Sequence, residues 1–502
     1  MKKFFKKHDL TKVVLIVLLV AILFTWIFPE AYYEEGKLVL SNAEKFGLFS
    51  LVDADARLGL FDIVLYGFLS IYYFIDVFVY VLVLGGFYKF IGSLSAYGAF
   101  VDGVAKKFEG KESVFVAIST FVFTVLASIV MNQLVLLLLV PLVLSILAKL
   151  KVDKVTGISA TFGGILVGTL ASTVSSKVTG NLVQALKVSY GFEWLTVVVV
   201  GLIAYVLLTL LNVIRMGKVS GNKDVAVTKD LFRKEDEKEN LVKKAVKNAK
   251  NKVLRTKKVN VVPFVTVFVI TFVIVVLAFI DWKNAFNVTL FDSLYASIQN
   301  AKIGGLDIFF RLLGATKLTS DYSFTAFGNW TLFSVVTVLL VSSFILKIVY
   351  SKSFDNYLDE MVLGVKKVFG AFIPFALCMV VLEFSILFVR VPGIVDAILG
   401  LSTNWFTLFI SSIVGSIFTI DMQYTASLFG SAYAAVTDLN VSALAMQFGY
   451  GLFGFFAPTS ALLMLGLGMQ EVKYSEWLKH IWKFVAAMFV VICVVLFILT
   501  VM

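Results

Sequence analysis

The sequence predicts an all-α polytopic membrane protein of two inverted-topology repeats, each with a re-entrant hairpin (or helix pair) and a discontinuous transmembrane helix. Three observations lead there: a composition that suits lipid, a series of apolar runs of spanning length, and an internal repeat whose two copies the lysine distribution orients in opposite senses. Of 502 residues, 60% belong to the set AVILMFWYC and 15% are charged, against about 45–50% and about 25% in soluble domains. A soluble fold of this composition would expose large apolar patches. Lipid is the solvent that fits.

The net charge is +11, and residues 215–260 alone carry fifteen Lys/Arg and six Asp/Glu. Charge gathered in one loop between apolar runs is a topology signal. A nucleic-acid partner would need its basic face on a folded module, and none flanks this stretch. Cys378 and Cys493 lie inside apolar runs, so neither a disulfide framework nor a metal motif is available. His8 and His480 stand at span edges, and no Ser/His or paired-carboxylate spacing supports enzymatic chemistry.

In chain order, basic Met1–Lys12 precedes the apolar run Val13–Phe28. No small-x-small cleavage site follows, so residues 1–31 read as an uncleaved first span rather than a signal peptide. An extracytoplasmic loop, 32–60, comes next. Repeat 1 occupies 61–214, with runs at 66–90, 155–186 and 195–214 that approach the ~20 residues a span needs. A basic cytoplasmic linker, 215–260, joins it to connecting spans in 261–350, which enclose the loop 282–329. Repeat 2 occupies 351–468, with runs at 370–389 and 442–468, and the last span lies within 469–502. Two apolar stretches are interrupted, Val114–Ala148 at Asn132-Gln133 and Trp405–Ala435 at Thr419–Gln423. Each is either two spans or a re-entrant hairpin whose polar tip lies inside protein at membrane depth. Leu94–Phe108 and Phe354–Phe369 carry paired lysines and apolar faces, and read as interfacial or connecting helices at the cytoplasmic surface. Asp230–Lys258 reads as a charged, helical, solvated linker, with partner docking as the alternative.

Orientation follows from lysine and arginine counts. Residues 282–329 hold four basic side chains in 48 positions, against fifteen in 46 for the linker. Placing the linker and the N-terminus in the cytoplasm puts the clusters around Lys106, Lys149 and Lys479 there too, provided each hairpin enters and leaves on one side. The repeat is read from Gly168-Thr169-Leu170-Ala171-Ser172-Thr173 and Gly454-Phe455-Phe456-Ala457-Pro458-Thr459, both of the form G-x-x-A-[S/P]-T. A polar break bearing Gln133 or Gln423 lies 35 or 31 residues upstream, and a Phe-Asp pair, Phe61-Asp62 or Phe354-Asp355, lies further back. The counts give the two copies opposite directions, as in secondary transporters whose site sits at the repeat interface near the midplane.

Gly, Ser, Thr and Pro concentrated within a span weaken the helix and free backbone and hydroxyl groups for a cation or polar solute. The candidates are Ser172, Thr173, Ser175, Ser176, Thr179 and Asn181 in the first half, and Gln447, Pro458, Thr459 and Ser460 in the second. Asn132, Gln133, Asp421 and Gln423 supply the hairpin tips. Thr173 and Thr459 are expected to meet near the middle of the membrane. Close helix packing through small residues is the competing reading for the glycines. Lys177 lies deep in a span, where an isolated ammonium is costly. It is expected to pair with a carboxylate, that of a solute, of Asp421 or of Glu383, unless it snorkels from an interrupted helix. Glu383, Asp421 and Asp76 are candidate proton carriers.

At these motifs the chain resembles the YfcC family of the ion transporter superfamily, a group that also holds aminobenzoyl-glutamate, anaerobic dicarboxylate and sodium–dicarboxylate carriers. The resemblance covers most of the chain. It is clearest at Thr25–Pro29, Leu84–Phe87, Gly168–Gly180, Gln447–Met464 and Tyr474–Lys479. It implies a carrier for amino acids or carboxylate-bearing solutes in the cell membrane, coupled to Na+ or H+ or working by exchange, with no other cofactor and with a tendency to form homodimers. The family pattern has an apolar residue where this chain has Lys177, whose fixed charge is expected to stand in for a bound cation. The expected function is secondary active transport of an amino acid or small carboxylate by alternating access. A non-transporting membrane scaffold that binds a partner through the linker is the alternative.

Overall fold

A computed structural model of the protein describes residues 9–28, 31–34, 37–40, 57–221, 225–233, 259–307, 325–387, 391–402, 404–436 and 438–501. Most of the loop 32–60, most of the linker 215–260 and part of the loop 282–329 lie outside them. Among the described residues, 8 helices are long and apolar enough to cross a membrane.

Helix α1 (Asp9–Ile27) shows how composition becomes packing. Leu10, Val14, Leu18, Ala21, Ile22 and Thr25 are buried at helical spacing, while Ile16, Leu19 and Leu23 face outward. Both faces are apolar, so burial is decided by which stripe meets protein and which meets lipid. After a small hairpin, β1 (Ala31–Glu34) and β2 (Lys37–Leu40), the first repeat begins with α2 (Asp62–Tyr73) and α3 (Ile75–Gly92). Then come α4 (Ser95–Phe108), α5 (Glu112–Ile129), α6 (Gln133–Lys149, opening with a 3-10 turn), α7 (Lys154–Leu170), α8 (Asn181–Leu186) and α9 (Trp194–Val219). The connecting section comprises α10 (Val262–Ala278), α11 (Trp282–Phe286), α12 (Leu290–Gln299), a two-residue ladder of β3 (Lys302–Ile303) with β4 (Leu306–Asp307), and α13 (Leu332–Val349). The second half has α14 (Phe354–Leu387), α15 (Val391–Leu399), α16 (Trp405–Thr419), α17 (Met422–Val436), α18 (Leu439–Phe456) and α19 (Ala461–Gln470), and the last span is α20 (Tyr474–Val501).

Each series contains a hairpin followed by a broken span, and side-chain ties at one face show that the two run in opposite senses. Lys89, near the end of α3, pairs with Glu360, near the start of α14, at 3.8 Å. Arg215, near the end of α9, reaches Asp153 ahead of α7 at 2.8 Å and Glu476 in the first turn of α20 at 4.0 Å. Ends of first-half spans therefore lie beside starts of second-half spans. That face also carries the described part of the linker and is called the linker face below. Helices α3 and α14 pack backbone to backbone, because a Cβ on Gly364 would stand 2.2 Å from the Gly85 carbonyl oxygen. Small residues at such a crossing replace the missing hydrophobic drive with close contact.

The interrupted stretches are re-entrant hairpins rather than span pairs. Arms α5 and α6 both return to the linker face, where Lys149 pairs with Asp102 of α4 at 3.1 Å. Their tip, Val130–Asn132, is stapled to the connecting section: the Met131 N–H donates to Phe279 O at 2.6 Å, and Val130 and Ile280 form an antiparallel bridge. Arms α16 and α17 enter from the opposite face, where Asn404 closes a capping box on Thr407. Thr419 and Thr425 hydroxyls bond across their tip at 2.6 Å.

Two expectations change. Phe354–Phe369 is not a separate interfacial helix but the first part of the 34-residue α14, which runs through Pro374. Continuing the helix keeps backbone groups paired at the membrane boundary, although Pro374 cannot donate to the Gly370 carbonyl. Nor is Asp230–Arg233 a helical, solvated loop. Val225–Arg233 is an irregular strap set against both halves, with Thr228 at 4% and Phe232 at 2% exposure.

Candidate functional site

Both hairpin tips and both broken spans converge on one cleft of about 790 Å³, partly open to solvent. Asn132 and Gln133 reach it from the first tip, Ile420 and Asp421 from the second. Thr169 and Lys177 come from the first broken span, Tyr450, Gly451, Gly454 and Ser460 from the second, and Phe375 and Met379 from α14.

The breaks follow from the sequence. In the first, α7 ends at Leu170 and a turn over Ser176–Gly180 leads into α8. The Thr173 N–H and hydroxyl both donate to Ser128 O, at 3.0 and 3.2 Å. In the second, α18 ends at Phe456, Pro458 brings no N–H to continue the ladder, and the Thr459 hydroxyl donates to Ile417 O at 2.6 Å. The two motif threonines thus do the same thing, each fastening its own span to the entering arm of its own hairpin. They do not line the cleft and are not the point where the halves join, contrary to expectation. The halves join at Gln447, fully buried, whose amide donates to Leu170 O at 3.2 Å and to Ser172 O at 2.8 Å. Gly451 completes the approach, since a Cβ there would lie 2.4 Å from Leu170 Cα.

Other expected residues serve the same scaffold. Ser172 and Thr179 hydroxyls bond to each other at 3.0 Å, and Thr179 also donates to Ser172 O. The Ser175 hydroxyl donates to Met131 O and accepts from Gln133, which also donates to Ala127 O. Pro458 O accepts from the Cys378 thiol at 3.7 Å. Carbonyls freed by the breaks are thereby satisfied by side chains at a depth where water is scarce. At the second tip Ile420 adopts φ 45° and Asp421 Oδ1 accepts the Gln423 N–H at 2.8 Å. A β-branched residue held in the left-handed region costs on the order of 1–3 kcal/mol and is a feature of functional sites.

Of the expected residues, Asn132, Gln133, Lys177, Asp421 and Ser460 face the cleft. Lys177 also lines, with Ser176, Asn181 and Gln423, a vestibule of about 1010 Å³ whose other walls include Tyr190, Asp281 and Asn284. Half-buried Lys177 therefore stands between the two spaces. Among the described residues no ion pair joins it to Asp421 or Glu383. Glu383 is buried on α14 and is not a lining residue. Thr169, inside the first repeat motif, and Tyr450, four residues before the second, were missed; Asp281 and Tyr190, bonded at 3.2 Å, carried no local signal. An ammonium and a carboxylate on different walls, with amides and hydroxyls between, suit a small polar solute that carries charge.

No curated protein matches the chain. Among solved structures it is similar to the YdaH transporter of Alcanivorax borkumensis, at 11% identity over 97% of this chain and 97% of that one, with a TM-score of 0.40. It is also similar to MtrF of Neisseria gonorrhoeae, described as illuminating a class of antimetabolite efflux pumps, at 12% identity over 98% and 94% of the chains, with a TM-score of 0.33. The sequence model of the C4-dicarboxylate anaerobic carrier family DcuC matches residues 8–501. The resemblance named YfcC within a wider group that includes anaerobic dicarboxylate carriers, and the match falls on the latter. This multi-pass membrane chain belongs to the DcuC family of C4-dicarboxylate anaerobic carriers.

Proposed function

We propose that the protein is a secondary carrier that moves a small carboxylate-bearing solute across the cell membrane by alternating access, with the linker face in the cytoplasm. The observation that carries this reading is Lys177. It stands at the broken first span, between an open vestibule and a cleft built from both hairpin tips. A solute carboxylate meets there a cation that has no carboxylate partner within 4 Å among the described residues. Asn132, Gln133, Tyr450 and Ser460 supply neutral polar groups around it, and the family's own solute class, C4-dicarboxylates, is the first candidate.

A second reading, an amino acid, is favoured by Asp421 on the facing tip. A carboxylate on Lys177 and an ammonium toward Asp421 would satisfy both charges. Succinate, aspartate and serine separate the two in a thermal-shift series on purified protein, with and without Na+ and at two pH values. A ligand that binds the folded state raises apparent stability. Stabilisation by succinate supports the dicarboxylate reading, stabilisation by aspartate and serine alone supports the amino-acid reading, and saturable uptake of the hit into liposomes tests carriage itself. A chain that shifts with none of them, under any ion condition, is not such a carrier.

A further inference from the structure

The walls of the cleft include Leu134 on α6, Phe375 on α14 and Leu462 on α19. Toward the linker face the same three helices present Leu137, Val368 and Leu465 around a closely packed apolar seam. Along α14 the step from Phe375 to Val368 is about 10 Å at 1.5 Å per residue. At this seam stands Phe232, which belongs to neither repeat. Its ring lies 5.6 Å from that of Tyr88. On the opposite face the space beyond the cleft is the open vestibule at Lys177.

We infer that the Val225–Arg233 strap is the gate of the linker face: solute passes between cleft and cytoplasm only when Phe232 withdraws from the seam. This rests on the carrier reading above. The way the strap is held supports it. On the first half, the Thr228 N–H and hydroxyl donate to Val152 O, both at 2.8 Å, and the Arg233 guanidinium forks onto Asp102 at 3.0 and 2.8 Å. On the second half, Lys229 N–H donates to Gln470 Oε1 at 2.8 Å, the Gln470 amide returns a bond to Lys229 O at 3.2 Å, and Lys367 donates to Leu231 O at 2.8 Å. One short segment is thus bonded to both repeats at once. When the repeats separate on that face, it cannot keep both sets of bonds. The Lys229–Glu471 pair, with side chains 40% and 69% exposed, is of the kind that contributes little singly. A strap held by several separable contacts can leave and return.

The test is thiol accessibility in the full-length protein in nanodiscs, with C378A and C493A removing the native thiols and Leu137→Cys reporting from the seam. With the strap intact, a soluble maleimide is expected to react slowly. Phe232→Ala is expected to raise the rate at least tenfold. The pair Lys229→Ala/Gln470→Ala, which loosens the strap without emptying the seam, is expected to raise it as well. Equal rates in all three proteins overturn the gate. If Phe232→Ala does not remain monodisperse, the double variant decides alone. Labelling needs no solute, so its outcome is independent of the thermal-shift series, which reports on the carrier reading separately.

Discussion

Gln447 is the most direct place to test how the two repeats are held together. Replacing it with Leu removes two bonds, to Leu170 O and Ser172 O, worth together about 1–3 kcal/mol. Ser172 O keeps the Thr179 hydroxyl at 3.2 Å, whereas Leu170 O loses the amide, and a buried carbonyl left without a donor costs roughly another 1–3 kcal/mol. Against this, Gln447 Oε1 is itself buried without a hydrogen-bond partner among the described residues, so its removal returns about 1–3 kcal/mol. The net loss is therefore about 1–3 kcal/mol, a fall in Tm of roughly 1–3 °C for so long a chain. Gln447→Glu keeps the shape but turns acceptor oxygens toward two carbonyls, or forces protonation, and is expected to cost more than Leu. Thermal unfolding of the three purified proteins checks the order. If Gln447→Glu unfolds at the wild-type temperature, the amide is not what joins the halves.

Lys177→Ala is expected to weaken carboxylate binding by about 10- to 150-fold, the equivalent of losing one charge-assisted bond of ~1.5–3 kcal/mol, while Lys177→Arg retains most of it; titration calorimetry with the hit ligand measures both. Thr173→Val and Thr459→Val each lose a side-chain bond to their own hairpin, so both should destabilise by about 0.5–1.5 kcal/mol, and a large inequality in their melting temperatures would contradict the structural equivalence of the two motifs. Asp230 is raised above the ordinary carboxylate range by burial, against its bonds to Phe232 and Arg233 N–H and the nearby Arg233 charge, with Tyr97 and Ser145 also beside it. A raised pKa means that the seated strap binds a proton more readily than the released one. Seating is therefore favoured below the released value, near 3.8, and that advantage is lost as pH rises through the seated value. Divided by the rate of a freely exposed cysteine at the same pH, which corrects for the thiolate fraction, seam labelling of the Leu137→Cys protein should accelerate across that interval, and Asp230→Asn, which keeps the acceptor without the charge, should be slower at neutral pH and flat.

Spans, hairpins and the repeat were legible because each depends on properties that the sequence displays directly. These are apolar length, a polar interruption, and a short motif that recurs in the same order after each interruption. The division of labour among the polar residues was not. Thr173, turned to a neighbouring carbonyl, and Asn132, turned to the cleft, are both small polar groups at a break, and only the path of the neighbouring backbone separates them. Gln447 was singled out, but its contact lies 275 residues away, at Ser172. The strap was misread because charge density was taken as solvation. The signal against that was the apolar pair Leu231-Phe232 beside Arg233, whose fork fits Asp102.

The staple between Met131 and Phe279 bears on which parts can travel. Sliding the first hairpin past the connecting section would break the Met131–Phe279 bond and the Val130–Ile280 bridge. That hairpin and α10 must then shift as a single piece or stay put together. Relative motion of the first hairpin and the end of α10 is thus opposed by main-chain bonds that the side chains of either element cannot replace.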